Sequence, residues 1–323
     1  MKAIIGESYG KPERVIQLRE VEKPVPAEGQ VLLKVRAASV NISDYYGLTG
    51  LSRLFGGGIL RPKDPRVGGD VAGQVEAVGA NVTRFRPGDE VFGVSPGAFA
   101  EYALARETRL ALKPINASFE EAAAVPVAGL TALQCLRDKG RVQAGQEVCI
   151  NGASGGVGTF AVQIAKSFGA QVTGVCSTRN LDQARSIGAD QVVDYTKEDF
   201  TRNGRSYDLI ADIAGNRSVS DYKRSLKPGG TCLIVGIAGN PLLGLIKLTI
   251  LGKLGSIRGN KTVKFMGIAK MNQEDLGFMA ELLAAGKVKP VIEEKRYGLS
   301  EVGQALQYIG EKHTRGKVVV NVS

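Results

Sequence analysis

Apolar positions recur at two different periods along the chain. In QVLLKVRAASVN (residues 30–41), Val31, Leu33, Val35 and Ala37 alternate with Leu32, Lys34 and Arg36, the period of a strand. DVAGQVEAVGANV (70–82) and DEVFGV (89–94) read as further short strands, and Arg86-Pro87-Gly88-Asp89 as the turn between them. From Ser118 the period lengthens. SFEEAAAVPVAGLTALQCLRD reads as one helix, with Ser118 as N-cap and Glu120 and Glu121 in its first turn. Short apolar strands at 148–150, 172–176, 191–195, 209–213 and 232–235 then alternate with helical segments. This rhythm predicts right-handed βαβ units and a parallel sheet covered on both faces. It weakens after about Lys270, where NQEDLGFMAELLAAGKV predicts a helix capped by Asn272 and GKVVVNV a closing strand. No internal repeat or low-complexity linker interrupts the pattern.

Composition narrows the class. The chain has 323 residues, 43% of them apolar and 23% charged, which fits a soluble protein of two domains. The net charge is +10, but Lys and Arg are interspersed with Asp and Glu, without a dense basic run. That argues for a basic surface that steers an anionic ligand and against nucleic acid as partner. Cys135, Cys149, Cys176 and Cys232 form no CxxC pair and read as buried thiols in a reducing compartment, the cytoplasm. The longest apolar window, 241–251, is about half a membrane span and contains Lys247, so no integral membrane span is expected.

The glycine-rich stretch INGASGGVGT (150–159) sits between a strand and a helix. Gly152, Gly155 and Gly158 have GxxGxxG spacing, with Gly156 added. The helix that follows carries Val157, Phe160, Ala161, Ile164, Ala165 and Phe168 on one face. Glycines permit the tight turn and let a pyrophosphate approach the backbone, and the helix N-terminus offers free N–H donors. The candidate contacts are Gly152, Ser154, Gly155, Gly156, Val157 and Gly158. A site for NAD usually has an acid at the end of the second strand. Here that strand ends in Ser177, Thr178 and Arg179. Arg179 suits a 2′-phosphate, which favours NADPH; the competing reading is an exposed arginine at a helix start.

The pieces VKVRAASVN, VGGDVAG, RPGDEVFG, AAAVPVAGLTA, GASGGVG, GADQVVDY, KPGG and RGKVVV follow one another in the order found in the medium-chain dehydrogenase/reductase superfamily, which the chain resembles along its whole length. The resemblance implies an α/β protein: a Rossmann-type doubly wound parallel sheet domain (122–269) and a β-rich GroES-like catalytic domain (1–121, completed by 270–323). Zinc enzymes of the superfamily have a Cys where this chain has Asn41, and Gly-His-Glu where it has Gly68-Gly69-Asp70. The lobe of cysteines for a structural zinc is absent, and the sole histidine, His313, reads as a surface residue. These departures point to the zinc-independent, quinone-oxidoreductase-like branch. STRN, DYTKEDF and HTRGKVVV look closest to its bacterial members and to plant alkenal/enone reductases and envelope quinone oxidoreductases. The branch implies NADPH as cofactor and a homodimer formed through an edge strand of the cofactor domain. It implies that Tyr195 helps hold the adenosine phosphate end, Thr131 lies near the nicotinamide, and the backbone of Gly236-Ile237 lies beside the carboxamide. Taken alone, Tyr195 and Thr131 read as a strand-end tyrosine and a helix hydroxyl.

Without zinc ligands, reduction of an electron-poor C=C or a quinone is less demanding than oxidation of an alcohol. Hydride addition at the β-carbon makes the carbonyl oxygen an enolate, which a few preset donors stabilise. The candidate loop SVNISDYYGLTG (39–50) offers Asn41, Ser43, Asp44, Tyr45 and Tyr46. Asn41 matches an asparagine common in the branch and is assigned as the donor to the substrate oxygen. Tyr46 is a donor or proton source, and Asp44 orients the loop or the cofactor side. The competing reading is that these polar residues cap a turn. The segment 242–254 reads as a cleft border suited to a small hydrophobic electrophile or as a dimer contact, with a helix that touches a membrane surface as the lesser alternative. An alcohol or ketone oxidoreductase and a non-catalytic NADPH-binding protein are the alternatives.

Overall fold

A computed structural model describes residues 1–51, 53, 58–236 and 260–322. The chain divides into two compact units, Met1–Leu130 with Lys270–Ser323, and Thr131–Ala269. The strands are β1 (Lys2–Gly6), β2 (Ile16–Glu20), β3 (Gln30–Val40), β4 (Asp70–Val78), β5 (Glu90–Val94), β6 (Tyr102–Arg106) and β7 (Leu110–Leu112), then β8 (Glu147–Asn151), β9 (Gln171–Cys176), β10 (Gln191–Asp194), β11 (Tyr207–Asp212), β12 (Leu226–Ile234), β13 (Thr262–Phe265), β14 (Tyr297–Gly298) and β15 (Val318–Asn321). The helices are α1 (Pro12–Val15), α2 (Ile42–Leu48), α3 (Phe119–Ala123), α4 (Pro126–Leu133), α5 (Gly156–Ser167), α6 (Leu181–Ser186), α7 (Val219–Ser225), α8 (Gln273–Ala284) and α9 (Val302–Gly310).

The first unit is the GroES-like one. Its sheet runs β14-β15-β3-β4-β5-β7, with β6 also pairing β3, beside the β1-β2 hairpin. Except for β14 and β15, its neighbours are antiparallel. The strand predicted from the alternation at Val31, Leu33 and Val35 is β3, and these side chains join Val75, Val318 and Leu306 in one core. β15 returns the C-terminal segment to this sheet by pairing with the end of β3.

The second unit holds six parallel strands in the order β10-β9-β8-β11-β12-β13. The order reverses between β8 and β11, so their carboxyl ends flank the crevice where sheets of this kind take a dinucleotide. Each of the five strands read from the sequence is present. α5 differs from expectation. It is buried all round from Gly158 to Ala165, not on one face. It packs against β8, β9 and the Gln134–Lys139 turn, and its small residues permit that close approach.

The long helix expected from Ser118 is three pieces. Ser118 does cap α3, accepting from the Glu121 N–H at 3.1 Å, and the Glu121 carboxylate accepts from the Ser118 N–H. The helix then breaks before Pro126. Proline has no N–H to donate and disfavours helical backbone at the preceding Val125. α4 starts at that proline, and Gln134–Lys139 continues as a π-turn with Gly140 N–H donating to Cys135 O. Asn272 caps α8 as expected, its side chain accepting from Asp275 N–H. All four cysteines are buried and unpaired.

Candidate functional site

In the second unit, β8 delivers the chain into the glycine loop. Gly152 has φ +94°, a left-handed conformation that favours glycine, and donates with Ala153 to Val175 O of β9. A Cβ on Gly158 would lie 2.0 Å from Gly152 O, so the first turn of α5 packs directly on the loop. Gly155 is the opposite case. A Cβ there would meet only Gly152 O, at 3.8 Å, so the space beside it is open. Gly155 is the N-cap position of α5, whose first N–H groups, on Gly156, Val157 and Gly158, have no acceptor inside the helix. An open glycine face beside unspent N–H donors fits a pyrophosphate.

Asn180, which the sequence reading passed over, fastens this loop. It is 4% exposed, and its Nδ2 donates to Ser154 Oγ at 3.0 Å and Ser177 Oγ at 3.2 Å. Gln183 holds Ser154 O at 3.2 Å. Ser154 and Ser177 are thus brought together. Thr178 and Arg179 are exposed on the turn that follows β9, and Tyr195 is half exposed, its N–H donating to Cys176 O. The strand β9 carries no acid at its end, but Asp194 reaches that place from the end of β10. Its carboxylate accepts from the hydroxyls of Thr178 and Thr196. Those bonds, Thr178 first, hold Asp194 below the usual carboxylate range.

At the reversal point, Asn151 of β8 donates to Asp212 Oδ1 of β11 at 2.7 Å. Tyr222 donates its phenolic proton to Asp212, and Gly215 N–H donates to it at 3.1 Å. Burial pushes the Asp212 carboxyl up, and those three donors oppose the rise. A Cβ on Gly236 would lie 1.8 Å from Ile213 O, so the chain leaving β12 passes this point only as glycine. Ile237 and the segment 242–254 lie outside the described residues. Thr131 is half-buried on α4.

The first unit gathers the polar residues of the Asn41 loop. Asn41 follows β3 and starts α2. Its Nδ2 donates to Asp70 Oδ2 at 2.8 Å, and its Oδ1 accepts from Lys317 Nζ at 2.6 Å. Ser39 Oγ donates to the same Asp70 oxygen at 2.9 Å, while Asp70 Oδ1 accepts from Val127 N–H at 3.1 Å. Lys317 is 3% exposed, and Asp70 is fully buried, 3.4 Å from Nζ. A buried pair of this kind persists only when its remaining lone pairs and protons are satisfied, as here. Asp44 Oδ2 accepts from Asn41 N–H at 2.7 Å, across the first turn of α2. Burial raises its carboxyl to about 7, with the Asp70 charge adding to the rise and Asn41 N–H and Lys317 opposing it. Tyr46 stands half-buried with its ring edge-on to Tyr45, centroids 5.8 Å apart, and Lys312 Nζ 5.7 Å over its face. Ser43 and His313 are exposed. Asp70 and Lys317 were missed as site residues. The available signal was an acid set in the weakly polar run VGGDVAG and a lysine directly ahead of the apolar run VVV in RGKVVV. Among the described residues no group of three His, Cys, Asp or Glu side chains is placed to hold a metal, and no helix is long and apolar enough to cross a membrane.

The model of the alcohol dehydrogenase GroES-like domain matches residues 27–115, and that of a zinc-binding dehydrogenase domain matches 187–320. The chloroplast envelope quinone oxidoreductase homologue of Arabidopsis thaliana is 34% identical over 99% of this chain and 98% of its own. The 2-methylene-furan-3-one reductase of Solanum lycopersicum is 33% identical over 99% of this chain and 79% of its own. The Escherichia coli quinone oxidoreductase, solved in complex with NADPH, superposes with a TM-score of 0.83 over the full length of both chains at 25% identity. With two units of the expected architecture and a relative 34% identical over nearly the full length of both chains, the chain belongs to the medium-chain dehydrogenase/reductase superfamily, in the branch that resembles quinone oxidoreductases.

Proposed function

We propose that the protein is a zinc-independent, NADPH-dependent oxidoreductase that reduces the C=C bond of α,β-unsaturated carbonyls, or quinones. The observation that carries this reading is, in the first unit, a preset amide at Asn41 beside a carboxyl raised to about 7 at Asp44; in the second unit, the open phosphate cradle at Gly155 supports it. The E. coli relative solved with NADPH and the reductase name of the tomato relative support it. The glycine loop and the N–H groups of Gly156 and Val157 hold the pyrophosphate, and Arg179 receives the 2′-phosphate with Ser177, Thr178 and Tyr195 around it. Thr131 and the Gly236-Ile237 backbone hold the nicotinamide end. Bound NADPH supplies the hydride.

The chain's own residues manage the charge and the proton. Asn41 Nδ2 offers an N–H to the substrate oxygen as negative charge grows there. Asp44, protonated over a good part of the neutral range, or Tyr46, donates the final proton. We place the protein in the cytoplasm as a homodimer paired through β13, which stands at the edge of its sheet.

NADPH and NADH oxidation followed at 340 nm tests this with an alkenal, a methyl vinyl ketone type enone, a benzoquinone and a saturated ketone. Oxidation of NADPH by the enone or quinone, with NADH poor and the ketone inert, is expected. Turnover of the saturated ketone in their place overturns the assignment in favour of a ketone reductase.

A further inference from the structure

We propose that Lys317 is a positioning residue that, together with Asp70, fixes the Asn41 carboxamide so that Asn41 presents an N–H, not a C=O, to the substrate oxygen. This deepens the reading above and rests on Asn41 as the oxyanion donor.

A carboxamide has two faces that differ only in which atom is oxygen and which is nitrogen. Turning it over exchanges a donor for an acceptor at nearly constant shape. An asparagine that must donate therefore needs its surroundings to select one orientation. At Asn41 that selection is electrostatic. Oδ1 faces the Lys317 ammonium at 2.6 Å, and Nδ2 faces the Asp70 carboxylate at 2.8 Å. The reversed amide would set its oxygen against the carboxylate and its NH₂ against the ammonium, two repulsive contacts in a buried place. Asp70 uses one Nδ2 proton. The second enters no bond among the described residues, and Asn41 keeps 6% exposure.

Lys317 is itself held. Its Nζ also donates to Val40 O at 3.2 Å, the carbonyl just before Asn41, and lies 3.4 Å from Asp70 Oδ2. Asp70 is anchored from β3 by Ser39 Oγ and from α4 by Val127 N–H. The clamp therefore joins β3, β4, α4 and the residue that precedes β15 at one amide. The C-terminal segment, through a single lysine, orders a side chain 276 residues earlier.

The test is a double-mutant cycle with an enone, using Lys317→Met, whose unbranched apolar stem has similar length, and Asn41→Ala. In the wild-type background Lys317→Met is expected to lower kcat on the order of 10- to 100-fold with KM little changed, because the donor acts as charge develops. In the Asn41→Ala background the same substitution should change kcat little. An equal loss in both backgrounds overturns the proposal, since Lys317 then acts other than through Asn41. So does an undiminished kcat. Should Lys317→Met not fold because Asp70 is left as a lone buried charge, the Asp70→Asn/Lys317→Met pair removes both charges. It leaves two neutral amides free to turn, so the same kcat loss is expected; full activity counts against the proposal.

A second readout does not depend on turnover. The Asn41 side-chain NH₂ signals, assigned by their loss in Asn41→Ala, should exchange with solvent faster in Lys317→Met than in wild type. Unchanged exchange overturns the clamp. A wild-type protein that reduces no enone or quinone sinks the functional reading alone, and the amide exchange then decides the positioning by itself.

Discussion

A Cβ placed on Gly158 would stand 2.0 Å from the carbonyl oxygen of Gly152. No side chain fits that gap, and the obstacle is backbone, which cannot swing aside. Gly158→Ala should therefore push α5 off β8 and destabilise the second unit severely, read as a large fall in thermal midpoint. Gly155 has open space at the same test. Gly155→Ala should leave the thermal midpoint near wild type and weaken NADPH binding, because the new methyl occupies the cradle. Equal thermal losses for the two variants would contradict this division of roles.

Arg179 is assigned to the 2′-phosphate. A charge-assisted bond of this kind contributes about 1.5–3 kcal/mol, so Arg179→Ala should raise the KM for NADPH by roughly 10- to 100-fold. The KM for NADH should move little. A matched rise for both cofactors would locate the arginine's role elsewhere.

Asp44 is raised to about 7, burial being the main cause. Its folded-state pKa lies above its unfolded value, so between roughly pH 4 and 7 the native state holds a proton that the unfolded chain releases. Stability from this group therefore declines as pH rises through that window. Asp44→Asn should flatten the fall of thermal midpoint between pH 5 and 8. If Asp44 is the proton donor, enone turnover by wild type should also decline above about pH 7, and the variant should lose that limb.

Tyr222 donates to the buried Asp212, which Asn151 and Gly215 also serve. Tyr222→Phe leaves a buried carboxylate one donor short, and burial already pushes that group up. The expected cost is about 1–3 kcal/mol, measurable by denaturant titration. An unchanged midpoint would show that the remaining donors suffice.

The parallel sheet was readable because its signal is local. Each strand is a short apolar run set off by turn residues, and the glycine loop supplies its own context. The caps at Ser118 and Asn272 were readable for the same reason, since a cap and its partner lie three residues apart. The break before Pro126 was also written locally, but the apolar period continues across it and masks it. The polar clamp was not readable. Lys317 and Asp70 are 247 residues apart, and neither run states that its charge has a partner. Asp194 shows the same limit. The sequence places no acid at the end of β9, whereas pairing in the sheet brings one from the neighbouring strand.

The four cysteines acquire a meaning beside the proposed substrates. Enones, alkenals and quinones alkylate proteins by adding to thiolates, so an enzyme that concentrates them is exposed to its own reactants. Here burial raises the thiols of Cys135 to about 12 and Cys176 to about 11, and lifts those of Cys149 and Cys232 well above their ordinary range. The thiolate is the reactive form. By burying all four thiols, the fold keeps them away from the thiolate form in which a cysteine adds to a Michael acceptor.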